Sequence, residues 1–182
     1  MPAGYGYLRY AADSMLTQAS TLETFAEIFV ALAGFAAIAG IVGDRLDPDS
    51  RGIGFSRLRS VVVISIGFVF LSLLPLVVSD FGESEARVWR LCSLAAFALN
   101  AVMLWSSVRH GRTFGMSFSA GEFRFFIWPL ESVLQLSLVA NIFMVLPDSA
   151  GSLYLVFLIA ALSQASIFFL ILLDSTFATS GS

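Results

Sequence analysis

The sequence predicts an all-α integral membrane protein, a bundle of about five transmembrane helices joined by short loops. Of its 182 residues, 58% are apolar and only 13% are charged, whereas a soluble domain carries about 25% charged residues. Five apolar runs reach the roughly 18 residues that a helix needs to cross a hydrocarbon core of about 30 Å. None of them alternates in polarity as a strand would, which argues against a membrane barrel.

The five predicted spans are apolar runs bounded by polar or charged residues, and they cover residues 25–43, 60–79, 88–107, 127–146 and 152–173. Residues 1–24 are predicted to form an extracytoplasmic segment and residues 174–182 a short cytoplasmic tail. A four-span alternative would make 127–173 a hairpin that does not cross. It is disfavoured because each half of that stretch is nearly one membrane thickness long.

The placement of the arginines predicts the orientation. Those expected on one side of the membrane are Arg45, Arg51, Arg57, Arg59, Arg109, Arg112 and Arg124. Those expected on the other side are Arg9, Arg87 and Arg90. Because positively charged loops stay in the cytoplasm, this asymmetry puts the N-terminus outside and the C-terminus inside.

The N-terminal segment has apolar residues at helical spacing between Leu8 and Leu22, preceded by tyrosines. A helix lying at the membrane surface has this character. The alternative is a first span that simply begins early, and the sequence does not separate the two.

Several kinds of chemistry are disfavoured by residue usage. Cys92 is the only cysteine and His110 the only histidine, so one chain cannot build a cysteine-rich or HExxH zinc site or a multi-histidine haem site. The net charge is −3 and no basic tail is present, which gives no reason to expect nucleic acid as a partner. We expect no cofactor, no metal and no enzymatic activity, because no catalytic triad or phosphate-binding loop occurs.

Small and amide side chains predict how the helices meet, since helices in lipid associate through close packing and polar pairs. In span 1, Ala33 with Ala37 and Ala36 with Gly40 have small-xxx-small spacing. That spacing predicts a position at the centre of the bundle or in an oligomer interface.

Span 3 places Cys92, Ala96 and Asn100 on one narrow face, with Cys92 expected to be a small buried residue. Asn100 and Gln164 of span 5 should lie at comparable depth. Both are predicted to point inward and to be hydrogen-bonded, with a bond to each other as one option.

Two further features each allow two interpretations. Glu27 and Arg90 could form an ion pair across the outer ends of spans 1 and 3, or they could line an ion vestibule. In span 2, Ser65 and Ser72 lie in a row that could line a path, although such serines often bond back to their own helix. Pro75 should bend or fray the outer end of that span.

Span 4 contains the least expected polar residues. Glu131 and Gln135 share a face and could form the mouth of a proton or cation path. Alternatively, Pro129 starts the helix and places Glu131 in the first turn, where an acid meets free backbone N–H groups. Asn141 falls about 80° from the Glu131 direction at 3.6 residues per turn, and its spacing pairs it with Ser137.

The leading functional hypothesis is an oligomeric channel or permeation protein for ions or small solutes, because polar residues recur at several depths. The alternative is a non-catalytic accessory or assembly subunit of a larger membrane complex. The expected partners are the lipid bilayer and either further copies of the chain or another membrane protein. A haem or quinone subunit is weakened by the single histidine, which lies outside the apolar runs.

Overall fold

A computed structural model describes residues 3–46, 51–82, 84–111 and 121–177. Side chains are described for most positions within 18–41, 61–105 and 128–173. Over these ranges the chain is all-helical and has no strand, as predicted. The helices are α1 (Ala3–Leu46), α2 (Arg51–Ser79), α3 (Glu85–Gly111), α4 (Gly121–Ile142) and α5 (Ala150–Phe177), with one 3-10 turn at Pro147–Ser149.

Four stretches of helix are long and apolar enough to cross a membrane, by length and composition. They are Gln18–Ala39, Val61–Ser79, Glu85–Met103 and Ala150–Leu170. Each overlaps one of the predicted spans. The remaining helix, α4, has 22 residues and is therefore about 33 Å long, and its crossing remains a prediction.

The helices extend beyond the predicted spans because hydropathy marks the lipid-compatible stretch and not the helix ends. α1 is one continuous helix of 44 residues, about 66 Å long. Within residues 3–46 no separate surface helix precedes the first span, which favours the alternative of a span that begins early. α2 likewise begins at Arg51, inside a predicted arginine-rich loop.

α4 is displaced from its prediction at both ends, since it runs over Gly121–Ile142 and not 127–146. Pro147 explains the early end, because its ring would clash with the Phe143 carbonyl and it has no N–H to donate. The helix closes with a Schellman motif, in which Met144 N–H bonds to Asn141 O at 3.1 Å and Val145 N–H to Ala140 O at 3.0 Å. Met144 takes the left-handed position of that motif, with φ of 51°.

α5 occupies the centre of the bundle, because it packs against the other four helices. α1 lies at the edge and exposes Phe35 and Ile38, so span 1 is not at the centre of the bundle, and its alternative position in an oligomer interface stays a prediction. Its small residues nevertheless allow close packing: Ala36 is fully buried beside Val61 of α2. Ala33 and Ala37 are half-buried, and the surroundings of Gly40 lie outside the description.

An aromatic core joins four of the helices, and it consists of Phe29 (α1), Phe68 (α2), Trp89 (α3), Tyr154 and Phe157 (α5). Neighbouring ring centroids are 5.2 Å apart for Phe29 and Phe68 and 5.9 Å for Phe68 and Phe157. The series continues at 5.4 Å from Phe157 to Tyr154 and 5.6 Å from Tyr154 to Trp89. These separations are typical of attractive ring pairs.

α2 passes through Pro75 and ends only at Ser79, so its outer end does not fray, and the alternative of a bend stays a prediction. Proline has no N–H and therefore leaves the carbonyl of Leu71, four residues earlier, without its helical donor. The Tyr154 hydroxyl donates to this carbonyl at 2.8 Å. A side chain from α5 thus satisfies the group that the proline leaves free.

Candidate functional site

The polar residues predicted in three separate spans meet at one carboxyl group. We call Glu131 and Gln135 of α4, Asn100 of α3 and Gln164 of α5 the polar centre. Asn100 Nδ2 and Gln135 Nε2 each donate to Glu131 Oε1 at 2.9 Å. Gln164 Nε2 donates to Glu131 Oε2 at 3.0 Å. Both carboxyl oxygens are therefore held by amide groups.

Helix geometry brings these residues to one level. Gln164 lies roughly 21 Å along α5 from Ala150, and Asn100 roughly 22 Å along α3 from Glu85, at about 1.5 Å per residue. The structure thus supports the prediction that the two amides share a depth and are hydrogen-bonded. Their common partner is Glu131, however, and they do not simply bond to each other.

Small residues on the neighbouring helices make room for this contact. Cys92 and Ala96, on the same face of α3 as Asn100, are fully buried, as the sequence predicted. On α5, Ala161 and Ala165 flank Gln164 and are also buried. The close approach that they allow lets three short amide side chains reach one carboxyl group.

The helix-start interpretation of Glu131 does not hold. α4 begins at Gly121, so Glu131 lies roughly 15 Å along the helix, well beyond the turn whose N–H groups are free. Pro129 stands inside the helix and not at its first position. Glu131 is held by side chains of the bundle and not by the start of its own helix.

The electrostatic environment of Glu131 consists of amide dipoles. Its described contacts are the three amide N–H groups, and no arginine with a described side chain pairs with it. Gln135 Oε1 is buried and has no hydrogen-bond partner. Gln164 is buried, whereas Asn100, Glu131 and Gln135 are only half-buried. The polar centre therefore extends from the bundle interior to its surface.

A second polar contact lies nearer the end of α4. Asn141 Nδ2 donates to Ser93 Oγ at 3.1 Å and to the Ala150 carbonyl at 2.9 Å. The side chain is 3% exposed, and its Oδ1 is buried without a partner. Ser137, which the spacing places on the same face as Asn141, is also buried, and its Oγ donates to Leu134 O at 2.9 Å.

Glu131 and Asn141 both face the groove between α3 and α5 and bond to both of these helices. Leu134 and Leu138 lie between them on α4 and are fully buried. The four residues are spaced i, i+3, i+7 and i+10, the heptad spacing of a helix packed at about 3.5 residues per turn. An angle of about 80° on an ideal helix therefore fits within one packed face, which spans 100° or more.

The serine row of α2 does not form a continuous polar lining. Ser72 Oγ bonds back to Phe68 O at 2.8 Å, and Ser79 Oγ to Leu76 O at 2.7 Å. Ser65 is fully buried, and its hydroxyl has no partner. Only Ser65 therefore keeps an unused polar atom among these three residues.

The structure does not bring Glu27 and Arg90 together. Both side chains are exposed, and the described contacts include no ion pair between them. α1 packs mainly on α2 and α5 and not on α3, which explains the separation. The other basic residues named in the sequence analysis lie where side chains are not described. They are Arg9, Arg45, Arg51, Arg57, Arg59, Arg109, His110, Arg112 and Arg124.

Two buried polar residues were missed by the sequence reasoning. Ser93 is the partner of Asn141, but nothing in the spacing of α3 separates it from serines that bond back to their own helix. Tyr154 had a weak signal, because Pro75 inside a span implies a free carbonyl at Leu71 that requires a donor from elsewhere. The sequence does not say which helix supplies that donor.

Among the described residues no group of three or more histidine, cysteine, aspartate or glutamate side chains could hold a metal ion. The polar centre instead combines one carboxyl with three amides. Comparisons of the chain with protein families, with curated proteins and with solved structures find no match. The function is therefore argued from the chemistry of the polar centre itself.

Proposed function

We propose that this chain is a five-span membrane protein that forms an oligomeric path for ions or small solutes, with its N-terminus outside and its C-terminus in the cytoplasm. Glu131 carries the proposal. An ionisable side chain within an apolar bundle is costly to maintain, and such residues usually serve ion or proton pathways. Glu131 is bonded to amides from its own and two other helices, as expected of an organised site.

The exposure of the polar centre supports a path between subunits and not through one subunit. The interior of the bundle is filled by the aromatic core and by Leu134 and Leu138. Glu131 and Asn100 are nevertheless half-buried, and uncovered polar groups facing lipid are unfavourable. A second copy of the chain, or a water-filled path between copies, would cover them.

The test is purification of the full chain, determination of its mass, and measurement of ion flux after reconstitution into liposomes. We expect an oligomer whose flux changes at least several-fold in Glu131→Gln and in Asn100→Leu. Ser132→Ala is the matched control, because Ser132 is the exposed neighbour of Glu131 and bonds only to Trp128 O. A monomer that passes no ion contradicts the proposal.

The second candidate function is an accessory subunit of a larger membrane complex. It is favoured by the edge position of α1, where Gly34 is exposed and a Cβ added there meets nothing within 4 Å. Small exposed residues of this kind let another helix approach closely. In the same assay this alternative gives no flux, and the chain migrates as part of a complex with a different protein.

A further inference from the structure

The polar centre contains one carboxyl group and several amide oxygen atoms that can bind a cation. Glu131 is its only ionisable side chain, and Asn100, Gln135 and Gln164 each carry an amide carbonyl oxygen. We propose that the polar centre binds one monovalent cation of the size of Na⁺, with the Glu131 carboxylate and these three amide oxygens as ligands. This inference rests on the proposed permeation function and names its permeant.

Charge balance selects the valence of the ion. An isolated charge in an apolar interior is strongly unfavourable, and a monovalent cation exactly offsets a single carboxylate by charge. A divalent ion would leave one positive charge uncompensated, and calcium sites in proteins usually contain several carboxylates. Since the described residues contain no group of three or more His, Cys, Asp or Glu side chains that could hold a metal ion, a divalent ion is a poor match.

The amides suit a cation better than they suit a proton. A protonated carboxyl offers one O–H donor, for which a single amide carbonyl is sufficient. Here three amides from three helices lie within 2.9–3.0 Å of the carboxyl oxygens. In this structure their NH₂ groups face the carboxylate, and their carbonyl oxygens are the kind of ligand that a small hard cation binds.

The same amides can serve the empty and the occupied site. Rotation of an amide by half a turn exchanges its NH₂ and C=O groups, which are nearly equal in size. Without a cation the NH₂ groups face the carboxylate, as they do here. With a cation the carbonyls turn inward, and the ion takes the place of the hydrogen bonds.

A buried oxygen atom without a hydrogen-bond partner also supports a bound cation. Gln135 Oε1 is buried and accepts no hydrogen bond, although buried acceptors nearly always have a partner. This oxygen belongs to a side chain already bonded to Glu131 through its nitrogen. After the half-turn of the amide, this oxygen would become a ligand of the cation without any movement of the helix.

Access to the site is available from the bundle surface. Glu131, Asn100 and Gln135 are half-buried, so an ion can reach the carboxylate without passing the fully buried Leu134 and Leu138. The surface beside these residues is also where a second copy of the chain would pack under the proposed function. The ion would then enter at the boundary between subunits.

The test compares cations on the purified full chain at constant ionic strength. We expect NaCl to raise the Tm in a saturable manner relative to choline chloride, because a ligand that binds only the folded state stabilises it. Equilibrium dialysis with radioactive Na⁺ should give one ion per chain. Equal Tm values in Na⁺ and choline, or tighter saturable binding of Ca²⁺ than of Na⁺, would overturn the inference.

Variants assign the binding to the polar centre. Glu131→Gln keeps the size of the side chain and should abolish Na⁺ binding, and Gln164→Leu should weaken it at least ten-fold. Asn141→Leu is the matched control, since it removes a buried amide from the same groove outside the polar centre and should leave the Na⁺ affinity unchanged. An unchanged Na⁺ affinity in Glu131→Gln contradicts the assignment.

The cation site and the permeation function can be disproved separately. Ion flux from a chain that shows no saturable Na⁺ binding retains the permeation function and removes the cation site. Saturable Na⁺ binding without flux retains the site and removes the permeation function.

Discussion

The aromatic core and the polar centre hold different parts of the bundle together. The aromatic core joins α1, α2, α3 and α5 through ring contacts, and α4 adds no ring to it among the described side chains. α4 packs only on α3 and α5 to any extent, and there Glu131 and Asn141 form its hydrogen bonds to the other helices. Ring contacts thus join four helices, whereas α4 is held by polar contacts together with the buried Leu134 and Leu138.

For a bundle in lipid, the physics of helix association accounts for this difference. Apolar side chains gain little by leaving lipid for the bundle, so their contribution is the tight fit of surfaces. Polar groups find few hydrogen-bond partners in lipid. Their bonds therefore determine the position of a helix more than they determine the strength of its association. The aromatic core should therefore dominate stability, and the polar centre should dominate the placement of α4.

The largest loss of stability is expected from Phe157→Ala. Phe157 is fully buried and contacts the rings of both Phe68 and Tyr154. Its removal leaves a cavity, for which we expect a loss of about 3–5 kcal/mol in the free energy of unfolding. The measurement is reversible unfolding in detergent micelles, followed by circular dichroism.

Phe35→Ala is the control for this substitution, because Phe35 is 61% exposed and should contribute almost nothing. Equal losses for the two variants would show that ring packing does not hold the four helices together. The aromatic core would then not be the main source of stability.

The next largest effect concerns Tyr154, which belongs to the aromatic core but also donates a hydrogen bond. Tyr154→Phe keeps both ring contacts and removes the donor to Leu71 O. A buried carbonyl left unpaired is expected to reduce the free energy of unfolding by about 1–3 kcal/mol.

Pro75→Ala supplies the control through a double-mutant cycle. Alanine restores a backbone N–H that can bond to Leu71 O, so Tyr154→Phe should be less destabilising in that background than in the wild-type chain. An identical loss in both backgrounds would mean that the tyrosine does not compensate for the proline.

The polar centre was more predictable from sequence than the aromatic core. A glutamate or an amide within an apolar run is rare, so Asn100, Glu131, Gln135 and Gln164 could all be identified from the sequence. The 18 phenylalanines gave no such signal, because lipid accepts apolar side chains as readily as the bundle interior does. Phe29 is fully buried and Phe35 exposed on one helix, and composition does not tell them apart.

The partners of the polar residues could not be predicted, for a physical reason. Spacing within one helix gives the face and depth of a side chain but not which helix lies opposite. Pro129 fits both the start and the interior of a helix, so its position misdirected the interpretation of Glu131. The heptad arrangement from Glu131 to Asn141 could not be predicted from the sequence either, because it depends on the packing of α4 against two neighbouring helices.

The smallest expected effect on global stability is that of Gln164→Leu, which separates the two regions most sharply. Leucine keeps the volume of the buried side chain and removes only the hydrogen bond to Glu131 Oε2. The expected loss is about 0.6–2 kcal/mol, less than for Phe157→Ala. Ser163→Ala is the matched control, since Ser163 bonds only to its own helix at Ile159 O and should cost almost nothing.

Hydrogen exchange followed by mass spectrometry reports where that loss falls. In Gln164→Leu we expect faster amide exchange in residues 128–142, the part of α4 whose side chains are described, and unchanged exchange in α1 and α2. Phe157→Ala should instead accelerate exchange in α1, α2 and α5 together, because its ring connects them. If Gln164→Leu accelerated exchange uniformly, the polar centre would be a general stabilising contact and not the element that positions α4.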